Sequence, residues 1–254
     1  MILLLLALQA SDPSRIGPPL VDPIAATPAA GSPLYRCAID ARTDAAAAER
    51  AATAKGRAGD ACRGLALAAQ DDFAGAARAF ADAARFAEVQ KDHAAADYWA
   101  RSGNAWLAAG DAAAARRALD AALAAGTLSD LDRGEAYLDR ARALVATGDL
   151  KAARVDMDQA TLIAGDDPLA WLLSATLARR MDDLPRAKLD IAQALQRASD
   201  DASVQLEAGN IAAKSGDAAG ARAAWQKAAA LAPDAPAGRS AANALSQFAG
   251  DEKK

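Results

Sequence analysis

Two cysteines, one histidine and four pairs of adjacent aspartates are the residues of this 254-residue chain whose types could do chemistry. Two cysteines and one histidine cannot close a tetrahedral zinc shell without help from carboxylates. In an exported protein, Cys37 and Cys62 as an even pair suggest one disulfide, which would staple the front of the chain to its helical body. The alternative is two buried, reduced thiols. His93 stands in KDHAAAD with no Ser or Cys nucleophile in a triad context, so no catalytic residue is identified. Asp71-Asp72, Asp166-Asp167, Asp182-Asp183 and Asp200-Asp201 could chelate Ca²⁺. All four, however, fall where turns are expected, and an Asp there caps the orphan amides of the next helix. No phosphate-cradling glycine loop and no zinc-protease pattern occurs. Neither a metal site nor a cofactor is expected.

The elements that must position these residues follow from composition. Hydrophobic residues make up 53% of the chain but aromatics only 4%, and alanine supplies much of the difference. Alanine is the best helix former and a poor filler of wide cores, so closely packed helices are implied. A net charge of −4 and a pI near 5.1 leave no basic footprint for nucleic acid. The charges are mixed along the chain rather than blocked.

The front of the chain differs. Residues 1–10, MILLLLALQA, hold an apolar run from Ile2 to Leu8, too short for the ~20 residues of a membrane-spanning helix. Leu8-Gln9-Ala10 offers a cleavage site of the secretory type, although no basic residue precedes the run. A buried N-terminal segment is the alternative. Residues 11–33 carry six prolines (Pro13, Pro18, Pro19, Pro23, Pro28, Pro33), which exclude helix and strand interiors and favour an extended linker. A periplasmic or otherwise exported location is expected, with a cytoplasmic one as the alternative.

An internal repeat governs the rest. From Gly110-Asp111, the fourth, eighth and eleventh residues after the Asp are Ala115, Leu119 and Ala122. The same steps give Ala153, Met157 and Ala160 after Asp149, Ala187, Ile191 and Ala194 after Asp183, and Ala221, Trp225 and Ala228 after Asp217. A fainter copy after Asp72 gives Ala76, Phe80 and Ala83. Small–large–small at steps of four and three is one face of a helix. Eleven residues before each Gly, or its replacement, stands Trp99, Tyr137, Trp171 or Gln205, followed four residues later by Gly103, Ala141, Ala175 or Gly209. Each copy is therefore a helix–turn–helix hairpin, with the glycine in the left-handed region and the Asp capping the second helix. The steps between copies are 39, 38, 34 and 34 residues, with the excess around AEVQKDH and GTLSDLD as lengthened helix ends or loops.

This pattern resembles the tetratricopeptide repeat, from Gly56 to Pro233. The chain departs from it where Gln205 replaces a large apolar residue and where Ser102 and Arg140 replace Leu. The resemblance implies an all-α solenoid of about five stacked hairpins. The boundaries expected are 34–56 for an N-terminal helical segment, with a helix over 44–54, 57–235 for the repeats, 236–249 for a capping helix and 250–254 for a polar tail. Trp99, Trp106, Trp171 and Trp225 fall on structural positions rather than forming a stacking platform.

The resemblance also implies a groove lined by the first helix of each hairpin, where partners bind as extended peptides. Carried over by register, the groove positions are Asn104, Arg142, Thr176 and Asn210, then Arg179, Arg180 and Lys214. Asn104 suits the family's carboxylate clamp, but Ala100 stands where that clamp has Lys. Basic groove residues suggest an acidic segment or a free carboxylate as ligand, against the alternative that these are solvated polar positions. The function expected is a non-catalytic protein- or peptide-binding scaffold or adaptor of a bacterial-type cell envelope. The alternatives are a self-associating structural repeat protein and a small-ligand-binding or enzymatic helical protein.

Overall fold

Alanine-rich stretches broken by Gly-Asp or Asp-Asp should fold as short helices joined by tight turns, and they do. A computed structural model describes Cys37, Thr43, Asp44, Ala46 and residues 57–251. The apolar run, the proline-rich linker, the expected helix over 44–54 apart from Asp44 and Ala46, and residues 252–254 lie outside the described residues. The described residues form eleven helices and no strand.

The described residues up to Asp156 form one compact unit. It holds α1 (Arg57–Ala69), α2 (Phe73–Val89), α3 (Ala95–Ala108), α4 (Ala112–Ala125), α5 (Asp130–Ala146) and the start of α6 (Leu150–Ile163). A second unit begins at Met157. It holds the rest of α6, then α7 (Pro168–Arg180), α8 (Leu184–Arg197), α9 (Ala202–Lys214), α10 (Ala218–Leu231) and α11 (Pro236–Asp251). In the first unit α1 to α5 pack each on the next, and α3 also touches α5. In the second, α7 to α11 do the same, with α7 against α9 and α9 against α11. Within the units, the first helices α3 and α5, and α7 and α9, thus lie side by side.

The turns work as the residue types require. Gly110, Gly148 and Gly216 take φ values of 81°, 87° and 81°, and Asp71 and Asp182 accept φ 61° at the matching positions. The Asp that follows caps the second helix in all five hairpins. Asp72, Asp111, Asp149, Asp183 and Asp217 accept from the amides of Gly75, Ala114, Ala152, Arg186 and Gly220 at 2.8–3.1 Å. Asp167 and Asp201 cap α7 and α9 in the same way. The second Asp of every adjacent pair is therefore consumed as a cap. The extra residues of the first two steps are almost all helix: α2 has 17 residues where the second helices α4, α8 and α10 have 14, and α5 has 17 where the first helices α7 and α9 have 13.

The small–large–small residues of all five second helices are buried. Each large one stabilises by about 1.5–3 kcal/mol through apolar burial. Opposite them the first helices must stay thin. A Cβ on Gly103 would stand 2.4 Å from Leu119 Cγ, and one on Gly209 2.4 Å from Trp225 Cδ1. Gly64, which the register of the first copy left unassigned, faces Phe80 in the same way. Where the large residue is the slimmer Ile191, Ala175 suffices. Helix α11 closes the last hairpin: Ala241, Leu245 and Phe248 pack on Trp225, ring to ring at 5.4 Å. The helix runs two residues past the expected end at 249. Its other side, with Arg239, Ser240, Asn243, Ser246 and Gln247, is exposed and polar.

Candidate functional site: polar ladders between first helices

Among positions two, five, eight and nine after the large residue of each first helix, several side chains reach a neighbouring first helix of the same unit, as Asn104 reaches Asp139 and Arg179 reaches Glu207. In an alanine-lined molecule these are the positions free to carry polar groups, and the structure links them into two ladders.

The ladder of the first unit is centred on Asp139. Asn104 of α3 donates from Nδ2 to Asp139 Oδ2 at 2.8 Å, and Arg142 donates from Nη1 to Asp139 Oδ1 at 2.8 Å. Arg142 and Asp139 are only 10% and 11% exposed. Asn104 Oδ1 is buried, and no donor among the described residues reaches it.

The ladder of the second unit is centred on Glu207. Arg179 of α7 makes a bidentate pair with it, Nε to Oε1 at 2.6 Å and Nη2 to Oε2 at 3.1 Å. Asn210 donates from Nδ2 to Glu207 Oε2 at 3.2 Å and accepts from Trp225 Nε1 at 3.1 Å. Lys214 pairs with Asp182 and donates to the Arg179 carbonyl at 3.0 Å. Thr176 turns its hydroxyl back to Leu172 O of its own helix at 2.9 Å. Arg180 is exposed and makes no ion pair among the described residues.

The expected groove residues are thus brought together within each unit, but as pairs and not as a basic cluster. Arg142, Arg179 and Lys214 each face a carboxylate, and Arg180 alone among the four cations keeps its charge in solvent. Sequence reasoning missed Asp139 and Glu207. Their signal was the i,i+3 spacing to Arg142 and Asn210.

At the departures from the repeat pattern, each polar side chain finds hydrogen-bond partners of its own. Trp171 Nε1 donates to Gly165 O and Gln205 Nε2 to Ser199 O, both six residues back and both at 2.7 Å. Gln205 thus keeps the anchor of the indole it replaces. Ser102 donates to Ala77 O at 2.8 Å, and Ser174 bonds Asp190. Arg140 binds Asp156 at 2.7 and 2.8 Å and Asp120 at 2.8 Å. Those hydrogen bonds, the one to Asp156 first, raise its affinity for its proton above the arginine norm. At the front of the first ladder, burial and the like charge of Asp132 raise the Asp97 carboxyl above its ordinary range, with Arg101 opposing. Burial lowers the Arg101 guanidinium, against the charges of Asp97, Tyr98, Asp132 and Glu135.

Other candidates are taken up by the fold. Arg78, Arg85 and Arg197 lie over Trp106, Trp99 and Trp171, and Trp225 meets Phe248. His93 is exposed, and its carbonyl accepts from Thr127 Oγ1 at 3.1 Å. No group of three His, Cys, Asp or Glu among the described residues could hold a metal ion. No helix among them is long and apolar enough to cross a membrane.

No protein-family model and no curated protein sequence matches the chain. Among solved structures it is similar to YrrB, described as a TPR protein with an unusual peptide-binding site. The match has a TM-score of 0.58 and 19% identity, and covers 79% of this chain and 98% of that one. The chain has the tetratricopeptide-repeat fold. A second structure, the Cut9–Hcn1 hetero-tetramer of APC/C, matches 85% of this tetratricopeptide-repeat chain and 48% of its own, with a TM-score of 0.52 and 12% identity. In both tetratricopeptide-repeat units described above, the ladders lie on first helices, while the turn glycines and caps serve the hairpins.

Proposed function

We propose that this tetratricopeptide-repeat chain is a non-catalytic scaffold or adaptor that holds a protein or peptide partner along the polar faces of its first helices. The observation that carries this reading is the pair of ladders. Buried, mutually bonded Asn, carboxylate and Arg side chains rigidify the first helices beside one another, and rigid polar positions on a repeat surface suit recognition of an extended chain. YrrB, whose fold is similar, is described as having a peptide-binding site. A carboxylate-bearing segment is the partner we favour, and its counterpart here is Arg180, the exposed cation at the end of α7. We place the protein in a bacterial-type cell envelope. The Cys37–Cys62 disulfide supports an oxidising compartment, together with the signal-like front of the chain.

The test is a cross-linked pull-down from an envelope fraction with wild type and Arg180→Ala. A partner held by wild type and lost with Arg180→Ala supports the reading. A partner held equally by both moves recognition away from the second ladder. Self-association is the weaker alternative: head-to-tail stacking would have to cover the polar outer side of α11, with Arg239, Asn243 and Gln247.

A further inference from the structure

We propose that the Cys37–Cys62 cystine is a redox latch on the front of the first unit, opened by thiols from the Cys37 side. Opening it loosens α1 and leaves the second unit intact.

Helix α1 is the first helix of its hairpin, yet apart from Arg63, whose side chain is 43% exposed, its residues from Gly59 to Ala69 are buried or half-buried. The other terminal helix, α11, leaves a whole side in solvent. At the front stands Cys37, in contact with the first hairpin. It is bonded to Cys62 with a Cα–Cα distance of 5.4 Å across 25 residues of sequence. It also packs against the cluster of Leu65, Ala66, Phe80 and Ala105. A tether that closes such a loop lowers the cost of keeping Cys37 on that cluster, and cutting it restores the loop's freedom.

The two sulfurs are not equivalent. Cys62 is 2% exposed and belongs to the buried core, whereas Cys37 is only partly buried. A reducing thiolate therefore attacks Cys37 Sγ. The S–S bond breaks, the electron pair leaves on Cys62 Sγ, and that thiolate takes a proton from water. Cys37 is left in a mixed disulfide with the reductant. A second thiol, the dithiol's own partner where the reductant is a dithiol, attacks this bond and frees the Cys37 thiol. The two electrons come from the reductant, which ends as its disulfide.

The test uses the full chain. After brief treatment with reduced glutathione and quenching with iodoacetamide, peptide mapping should find glutathione on Cys37 and carbamidomethyl on Cys62. Amide hydrogen exchange in excess dithiothreitol, and in the Cys37→Ser/Cys62→Ser variant, should quicken at least tenfold in α1 and stay unchanged in α7–α11. Glutathione on Cys62 overturns the direction of attack. A cystine that stays closed in dithiothreitol, or α1 exchange unchanged once both thiols are labelled, overturns the latch. So does loss of the helical circular-dichroism signal on reduction, which would make the bond a requirement of the whole fold.

Discussion

Trp225 donates its indole N–H to Asn210 Oδ1, and so completes the hydrogen bonding of a side chain whose other end holds Glu207. In the second hairpin Leu119 occupies the place of Trp225, and Asn104 keeps its carboxylate partner but has a buried oxygen with no donor among the described residues. The two asparagines are equal in register and unequal in energy. Asn104→Leu removes one charge-assisted hydrogen bond and also one orphaned acceptor, terms of about 1.5–3 and 1–3 kcal/mol that nearly cancel. Asn210→Leu removes two bonds and strands the indole N–H. Urea unfolding should show Asn210→Leu less stable than Asn104→Leu by about 1–2 kcal/mol. Equal losses would show that Leu119 imposes no cost.

Gly209 faces the same indole. Alanine there gains roughly 1 kcal/mol of helix propensity, but its Cβ would meet Trp225 at 2.4 Å. Overpacking of a rigid ring costs about 1–3 kcal/mol, so Gly209→Ala should destabilise on balance. Adding Trp225→Met to Gly209→Ala should recover part of the loss, as a favourable coupling of at least ~0.5 kcal/mol in a double-mutant cycle. A stabilising Gly209→Ala on its own would rule out the close approach.

Neighbouring arginines separate structure from recognition. Arg179→Ala leaves Glu207, 8% exposed, without its bidentate partner. The expected loss is about 2–4 kcal/mol of stability, the order seen when one member of a buried pair is removed. Arg180→Ala should stay within about 0.5 kcal/mol of wild type and alter only partner capture. Thermal melts beside the pull-down distinguish the two, and matched losses of stability would deny Arg180 its separate role.

Asp97 gives the pH dependence a sign. Burial and the like charge of Asp132 hold its carboxyl above the ordinary range. The folded chain therefore binds this proton more tightly than the unfolded one. The resulting stability is complete below the unfolded value and is lost as pH rises through the folded one. Asp97→Asn removes that loss. Its melting temperature, relative to wild type, should rise as pH climbs from the carboxylate range toward neutrality, by an amount worth less than about 1 kcal/mol because the partly covered side chain keeps enough contact with water to screen its interactions. A constant offset between the two chains across that range would contradict the assignment.

The hairpin register was legible because steps of four and three on a helix admit one set of inward positions, and all fifteen residues it named are buried. The Gly-Asp turns were legible because a left-handed residue followed by a cap has few chemical solutions. The ladders were not. Asp139 and Glu207 read as solvated charges on their own helices, and the approach of the neighbouring first helix, which buries them, leaves no local mark. Their pairing turns the expected basic cluster into neutral pairs, apart from Arg180. Gln205 was legible as a departure, but its compensation was not, because which way the turn six residues back aims the Ser199 carbonyl is set by backbone geometry that no residue type marks.

A glycine in one helix fitted to its own large residue in the next has a consequence for how such a chain can change. Trp225 set against a first helix built like α7, with Ala175 where Gly209 should be, would collide, and Ile191 set against Gly209 would leave a void. The transferable piece is thus the matched hairpin with its turn, and half of it carries no usable information. Lengthening or shortening of the chain by recombination is tolerated when the crossovers fall between hairpins, at places such as the Gly126 to Ser129 connection, and is rejected within them.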